Sequence, residues 1–226
     1  MNSTIRIAIA DDHTLFRKSL SDALTYEFNL DVVFGASNGA ELIYNLATNP
    51  VDVILLDLRM PVMSGFEALK IIRDKYPLIK VIIVSMHDSL PFVEESFERG
   101  ANAHLSKDCD IEDLLDAIRM THNYGYYFTN DFPKEMINKI INKKSAPPVL
   151  DDFIISEREK EIIRQICLEK GSKEISEELQ IAERTVQNHR YKISKKIGTS
   201  SSVGFLVYAL LNGIATITAD GKVVFE

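Results

Sequence analysis

Val53-Ile54-Leu55-Leu56-Asp57-Leu58-Arg59-Met60-Pro61 opens with four apolar residues in unbroken succession and then turns to a carboxylate. A run that short and apolar at every position leaves no face for water. It reads as a strand covered on both sides in a parallel sheet. Runs of the same kind lie on either side: Ile5-Arg6-Ile7-Ala8-Ile9-Ala10 and Val32-Val33-Phe34 before it, Val81-Ile82-Ile83-Val84 and Ala103-His104-Leu105 after it. Between them apolar residues recur at helical spacing: Leu15, Leu20, Ala23 and Leu24; Leu42, Ile43, Leu46 and Ala47; Phe66, Leu69 and Ile72; Ile111, Leu114, Leu115 and Ile118. Five βα units in series predict an α/β fold, a doubly wound five-stranded parallel sheet with helices on both faces.

After about residue 125 the strand runs stop. A short helix is expected over 131–143, with Pro133 in its first turn. Lys143-Lys144-Ser145-Ala146-Pro147-Pro148 reads as a linker, because the proline pair cannot continue a helix. From Ser156 the pattern is helical. Ser156-Glu157-Arg158-Glu159 is a capping box that opens a helix ended by Gly171, with Ile162, Ile163, Ile166 and Cys167 on one side. A second helix runs through Ile175, Ser176 and Leu179, a third over 183–197 up to Gly198, and a fourth over 202–211 up to Gly213. The tail, 215–225, carries Asp220-Gly221 between apolar runs, a hairpin signal. The expected domains are 1–125, a linker with one short helix over 126–152, an all-α four-helix domain over 153–213 and a tail over 214–226.

Composition is that of a soluble globular chain, 46% hydrophobic and 26% charged. The net charge of −7 hides a division. Residues 1–128 hold 11 Lys+Arg against 19 Asp+Glu, whereas 153–226 hold 11 against 10. An acidic front joined to a more basic back points to different partners for each. Cys109 and Cys167 have neither metal-ligand spacing nor a disulfide framework. No signal peptide and no bilayer-length apolar run is seen, so a cytoplasmic location is expected.

In open α/β sheets ligands sit beyond the carboxyl ends of the strands. Asp11 and Asp12 end the first run, Asp57 the third, Ser85 the fourth, and Lys107 follows the fifth. Clustered carboxylates repel one another unless a hard divalent cation such as Mg²⁺ neutralises them. With a lysine and a hydroxyl beside them, the set suits phosphoryl transfer to a carboxylate nucleophile.

This segment resembles the receiver family of two-component systems. The match is carried by Asp11-Asp12, by Asp57 in Leu55-Leu56-Asp57-Leu58-Arg59-Met60-Pro61-Val62-Met63-Ser64-Gly65, by Ser85, and by Lys107 in Leu105-Ser106-Lys107. The resemblance implies a flavodoxin-like receiver in which a partner histidine kinase phosphorylates Asp57. It further implies that Asp11, Asp12, Asp57 and the Arg59 backbone carbonyl hold Mg²⁺, that Lys107 pairs with the phosphate, and that the Ser85 hydroxyl moves to it. Where the family often has Tyr or Phe as a switch ring, this sequence has His104, an imidazole that can rotate likewise. Arg59 and His87 stand where similar proteins tune dephosphorylation.

The stretch 183–197 carries Arg184, Arg190, Lys192, Lys195 and Lys196 against one acid. Thr185, Gln187, Asn188 and Tyr191 add hydrogen-bonding side chains, and basic groups hold phosphates while Gln and Asn pair with adenine edges. Residues 155–213 resemble the LuxR-type helix-turn-helix domain of the NarL/FixJ-like regulators. The match is carried by Ser156-Glu157-Arg158-Glu159, Lys173-Glu174-Ile175-Ser176, Ile181-Ala182-Glu183-Arg184-Thr185-Val186, His189-Arg190, Ile193, Lys196-Ile197 and Tyr208-Ala209. It implies that 183–197 enters the major groove of double-stranded DNA. Gln187, Asn188 and Tyr191 are then base readers, and Lys173, Arg184, Thr185, Arg190 and Lys195 phosphate contacts. Pairing of two copies upon phosphorylation is implied too. In similar proteins the last helix makes that dimer; the apolar residues of 202–211 equally suit a domain core. The resemblances together imply a phosphorylation-controlled transcription regulator that is not an enzyme, beyond catalysing its own phosphorylation and dephosphorylation. Two rivals remain: an aspartyl phosphatase using Asp57 in turnover, and a DNA-binding protein controlled without phosphate.

Overall fold

The computed structural model describes residues 4–143, 155–218 and 222–225. It divides into two compact units, Met1–His122 and Asn123–Glu226.

In the first unit β1 (Arg6–Ala10), β2 (Asp31–Ala36), β3 (Val53–Leu56), β4 (Lys80–Ser85) and β5 (Ala103–Ser106) form one sheet in the order β2-β1-β3-β4-β5. Every pairing is parallel. Helices α1 (Thr14–Asp22), α2 (Gly39–Leu46), α3 (Gly65–Lys75) and α4 (Leu90–Glu98) connect the strands, and α5 (Ile111–Tyr124) follows β5, its last two residues falling in the second unit. Alternate strand residues bury on opposite faces. Ala8, Ala10, Ile54, Leu56, Val81 and Ile83 pack with Leu42, Leu69 and Ile72 in one cluster. Ile7, Ile9, Leu55 and Ile82 are buried with them in sequence but point the other way. The strand order reverses between β1 and β3, so the loops carrying Asp11 and Asp57 open at the crevice of a doubly wound sheet.

The first helix departs from its expected face. Leu20 and Leu24 are buried, but Leu15 is 81% exposed. Five helical steps turn the side chain about 140° away from Leu20, so the two do not share a stripe. After Asp22 the helix relaxes into a π-helical turn, Ala23–Glu27, which no periodicity in the sequence announced.

The second unit contains α6 (Lys134–Lys143), α7 (Glu157–Cys167), α8 (Ser172–Glu178), α9 (Glu183–Ile197) and α10 (Ser202–Leu211), followed by antiparallel strands β6 (Ala215–Ile217) and β7 (Val223–Phe225). The capping box at Ser156 and Glu159 opens α7, and Gly198, in the left-handed region at φ 86°, ends α9. Gly171 does not end α7, which stops at Cys167; it caps α8 instead. The stretch expected as a linker with one short helix holds that helix, α6. Its aromatic residues Tyr126, Tyr127, Phe128 and Phe132 are buried, since such rings carry more apolar surface than a solvated spacer tolerates. Residues 144–152 of that stretch, and the Asp220-Gly221 turn, lie outside the described residues.

Helix α10 is packed nearly all round. Val203, Phe205, Leu206, Val207, Tyr208 and Ala209 are all buried, against α7 and β6, with Tyr208 meeting Tyr124 edge-on at 5.3 Å. Of the two readings open for this helix, the structure has it as domain core.

An ion pair ties α9 to the start of α7. Lys196 at the end of α9 reaches both carboxylate oxygens of the buried Glu159, at 2.6 and 2.8 Å. Burial pushes the Glu159 carboxyl upward, but the Lys196 ammonium and the Ser156 amide and hydroxyl outweigh it and hold it below its ordinary value. A depressed carboxyl stabilises the fold above its unfolded value of 4.5, and that contribution disappears as pH falls through the folded value. Lys196→Met is therefore expected to lower stability at neutral pH by about 1–2 kcal/mol, a buried-pair loss discounted because the lysine is partly solvated. The difference from wild type should shrink toward acid in chemical denaturation. An equal difference at neutral and strongly acidic pH would contradict this role.

Candidate phosphoacceptor site and nucleic-acid interface

Asp11 and Asp57 are 2% and 5% exposed at the ends of β1 and β3. Parallel pairing of Ala10 with Leu56 brings the two loops side by side. Lys107, one residue past β5, bridges them: its Nζ lies 2.7 Å from Asp11 Oδ2 and 2.7 Å from Asp57 Oδ2. Burial alone would depress this ammonium, but hydrogen bonds to the two carboxylates and their charge raise it above its ordinary value. The Phe16 ring lies beneath it, 5.2 Å from Nζ. The other Asp57 oxygen, Oδ1, accepts from the Arg59 amide at 3.3 Å.

Asp12 sits at the exposed rim. Ligand atoms of Asp11, Asp12, His13 and Asp57 all lie within 4.8 Å of one another. Three carboxylates against one ammonium leave negative charge uncompensated, and oxygen donors at this spacing suit a hard divalent cation. His13 was not singled out from sequence. Its Nδ1 stands 3.0 Å from Asp12 Oδ1, and its backbone amide donates to Asp11 Oδ1 at 2.8 Å. Arg17 was not foreseen either: its guanidinium donates to the Asp11 carbonyl and so holds the loop. No motif marked these two; only the fold brings them to the rim.

Ser85 is buried at the end of β4, where its hydroxyl accepts from the His87 amide at 3.2 Å. His104 is buried on β5. Its Nε2 is 2.8 Å from the His87 carbonyl, and its Nδ1 is 2.9 Å from the Ser96 hydroxyl on α4. A carbonyl only accepts, so Nε2 carries a proton. Burial lowers the His104 basicity, against opposing pulls from the His87 carbonyl and Asp88. Nδ1 of the neutral ring is then an acceptor, sharing the Ser96 hydroxyl with the Phe92 carbonyl, to which Ser96 also donates at 2.8 Å. One connected path runs from the Ser85 hydroxyl through the His87 peptide and the His104 ring to α4. His87 itself stacks on Phe92, centroids 5.3 Å apart.

In the second unit, α8 and α9 are joined by a tight turn in which Gln180 takes a positive φ of 51°. Val186, Ile193 and Ile197 bury one side of α9. Arg184, Thr185, Gln187, Asn188, Tyr191 and Lys195 are exposed on it, as is Lys173 on α8. Lys195 lies over the Tyr191 ring at 5.7 Å. Arg190 differs from the other cations. It is half-buried, burial lowers its basicity, and Nη1 donates to the Lys170 carbonyl at 3.4 Å. Lys196 is committed to Glu159. Both cysteines are free, their thiols pushed up by burial to about 11 for Cys109 and about 12 for Cys167.

Residues 7–119 match the family model described as response regulator receiver domain, and residues 154–209 match that of bacterial regulatory proteins, luxR family. This chain belongs to the response-regulator family. It is 30% identical over 219 residues to the transcriptional regulatory protein LnrK of Bacillus subtilis (strain 168), covering 93% of this chain and 99% of that one. It is 32% identical over 210 residues to the oxygen regulatory protein NreC of Staphylococcus aureus (strain NCTC 8325 / PS 47), covering 91% and 97%. A structure of the two-component response regulator RcsB–DNA complex shares the fold, with a TM-score of 0.53 and 21% identity over 91% of this chain and 98% of that one. The response regulator is thus a receiver joined to a LuxR-type DNA-binding domain, a transcription regulator and not an enzyme. Among its described residues no helix is long and apolar enough to cross a membrane.

Proposed function

We propose that this response regulator switches DNA binding through an acyl phosphate on Asp57. The observation that carries the proposal is the Lys107 ammonium bridging two buried carboxylates at the switch point of the sheet. An Asp57 oxygen attacks the phosphorus of a phosphohistidine on a histidine kinase; the new P–O bond forms as the P–N bond breaks, and the imidazole leaves. Lys107 stays with the transferred group as its ion-pair partner. Asp11, Asp12, Asp57 and the Arg59 carbonyl would hold Mg²⁺, which supplies the positive charge that in-line phosphoryl transfer needs. Phosphate incorporation from acetyl phosphate tests this. It should require Mg²⁺ and be lost in Asp11→Asn; incorporation undiminished by chelator contradicts it.

The phosphoryl group draws the Ser85 hydroxyl, which breaks its bond from the His87 amide and releases the His104 path to α4. His104→Phe keeps the ring and removes both hydrogen bonds that hold the resting position. At about 1 kcal/mol per bond, the loss of both is expected to raise affinity for beryllofluoride by about thirtyfold. Titration in Mg²⁺ would measure it, and unchanged or weaker affinity would count against the latch. Arg59 and His87, flanking the site, set how long the phosphate lasts.

In the output domain, α9 enters the major groove. Gln187, Asn188 and Tyr191 read bases, and Lys173, Arg184, Thr185, Arg190 and Lys195 bind phosphates. One helix makes few contacts, so two phosphorylated copies pair on a two-part site. The exposure of all of these side chains but the half-buried Arg190 supports this reading, as does the shared fold with a protein solved on DNA. A cytoplasmic location fits a DNA target.

A further inference from the structure

His13 follows Asp11 and Asp12 directly on the turn that leaves β1, and it stands at the N-cap of α1. Helices prefer a hydroxyl or a short carbonyl side chain at that position, because such groups accept from the first-turn amides. The His13 side chain makes no capping hydrogen bond. Its ring is turned to the carboxylates instead.

The residue is pinned beside them by its backbone, whose amide donates to Asp11 Oδ1 at 2.8 Å. Nδ1 of the ring lies 3.0 Å from Asp12 Oδ1 and 3.4 Å from Asp11 Oδ1. The other Asp11 oxygen, Oδ2, belongs to Lys107. Three donor atoms from three consecutive residues thus converge, and the Asp11 oxygen among them is the one Lys107 leaves. Atoms that present lone pairs to one another repel unless a proton or a cation lies between them. Around an octahedral ion with bonds of about 2.1 Å, neighbouring ligand atoms stand about 3.0 Å apart. Both separations from Nδ1 are close to that edge length. One ligand atom from each of Asp11, Asp12, His13 and Asp57 falls within 4.8 Å of the others, so the imidazole belongs to the same cluster as the phosphoacceptor.

We propose that His13 is a nitrogen ligand of the metal at this site, Nδ1 taking a position that water would otherwise fill, and that it biases the receiver toward Mn²⁺ over Mg²⁺. A neutral imidazole with its proton on Nε2 presents a lone pair at Nδ1. Mg²⁺ is hard, keeps its waters and is held through oxygen. Imidazole favours first-row transition cations. Mn²⁺ is the member of that series that also suits carboxylate and water in octahedral geometry, which is the remaining set that Asp11, Asp12 and Asp57 offer. The His13 side chain is 71% exposed, so the ring can turn to meet an ion without unpacking the core. The inference rests on the acidic site binding a divalent cation, as proposed above, and adds one ligand to it.

The test uses the full chain loaded with Mn²⁺, which is paramagnetic. Electron spin-echo envelope modulation of the bound ion should show a directly coordinated nitrogen. Growth on ¹⁵N-labelled histidine should replace that signal with the ¹⁵N pattern, with no substitution made. His13→Phe keeps an aromatic ring and removes the ligand, so the nitrogen signal should vanish. Mn²⁺ affinity should fall severalfold in this variant while Mg²⁺ affinity, read by competition, holds. If wild type binds Mn²⁺ without a histidine nitrogen signal, His13 is overturned as a ligand and the acidic site stands. An unchanged ratio of the two affinities in His13→Phe, whether both are kept or both fall, overturns the preference: the ring then serves the loop and not the ion. If wild type takes up neither ion, or Asp11→Asn binds both as well as wild type does, the metal site itself falls and this inference with it.

Discussion

Asp57→Asn is expected to accept no phosphate from acetyl phosphate and to show none of the DNA-binding gain that the donor produces in wild type. An amide oxygen is a far weaker nucleophile than a carboxylate oxygen. The substitution also removes one of the two charges that seat Lys107 2.7 Å away. The side chain keeps its size at a site buried to 5%, so the fold should survive. The loss is therefore chemical, and a melting temperature close to wild type would accompany it. Full donor-stimulated DNA binding by this variant would mean that another residue, or no residue, carries the signal.

Gly65→Ala should be nearly as damaging, for a different reason. A β-carbon at Gly65 would stand 2.1 Å from the Asp57 carbonyl oxygen and 2.8 Å from the Leu58 α-carbon. Both are backbone atoms of the loop that presents Asp57, so relief requires that loop or the start of α3 to move. Overpacking of this kind costs about 3 kcal/mol or more when the neighbours cannot yield. Asp57 would also be displaced from Lys107, so phosphorylation should slow even where the protein remains folded. Gly171→Ala is the control: the nearest atom to its β-carbon is a flexible Glu174 carboxylate oxygen at 3.5 Å. Its stability should stay within about 0.5 kcal/mol of wild type. Equal melting and equal phosphorylation rates for Gly65→Ala and wild type would show that the close approach does not hold in solution.

The strands were legible because each is an unbroken apolar run, which only burial on both faces explains. The clustering of polar groups at one rim of the sheet was legible for a related reason. Asp11, Asp57, Ser85 and Lys107 each stand at or just beyond a strand end, and parallel strands share one carboxyl edge. What the sequence hid depends on three-dimensional neighbours. Phe16 and Arg17 on α1 look like ordinary helix residues until the fold brings them to Lys107 and to the Asp11 carbonyl. In the sequence, Gly65 stood out only as the last residue of a motif. Its close approach to Asp57 is set by the turn between them, where Val62 takes a φ of 68°. Leu15 was misread because a count of apolar residues ignores a five-residue step. The burial of α10 could not be decided from its own residues, since a core helix and a pairing helix are equally apolar.

Arg190 and Lys196 teach the same lesson in the output domain. The net positive charge of the 183–197 stretch points to DNA only in bulk. Yet Lys196 is spent on Glu159, and Arg190 is half-buried with a bond to the Lys170 carbonyl. Of the five basic residues on the helix, Arg184, Lys192 and Lys195 are exposed, fewer than the count implies.

The most direct measurement is a selection from randomised duplexes by the full chain with Mg²⁺, run with and without beryllofluoride. Phosphoryl control of the output domain requires that beryllofluoride enrich a two-part duplex whose affinity falls when the mimic is omitted, and that Asp57→Asn enrich nothing beyond its mimic-free level. The same duplexes recovered at the same affinity in both conditions, from a chain shown to have bound beryllofluoride, would contradict it.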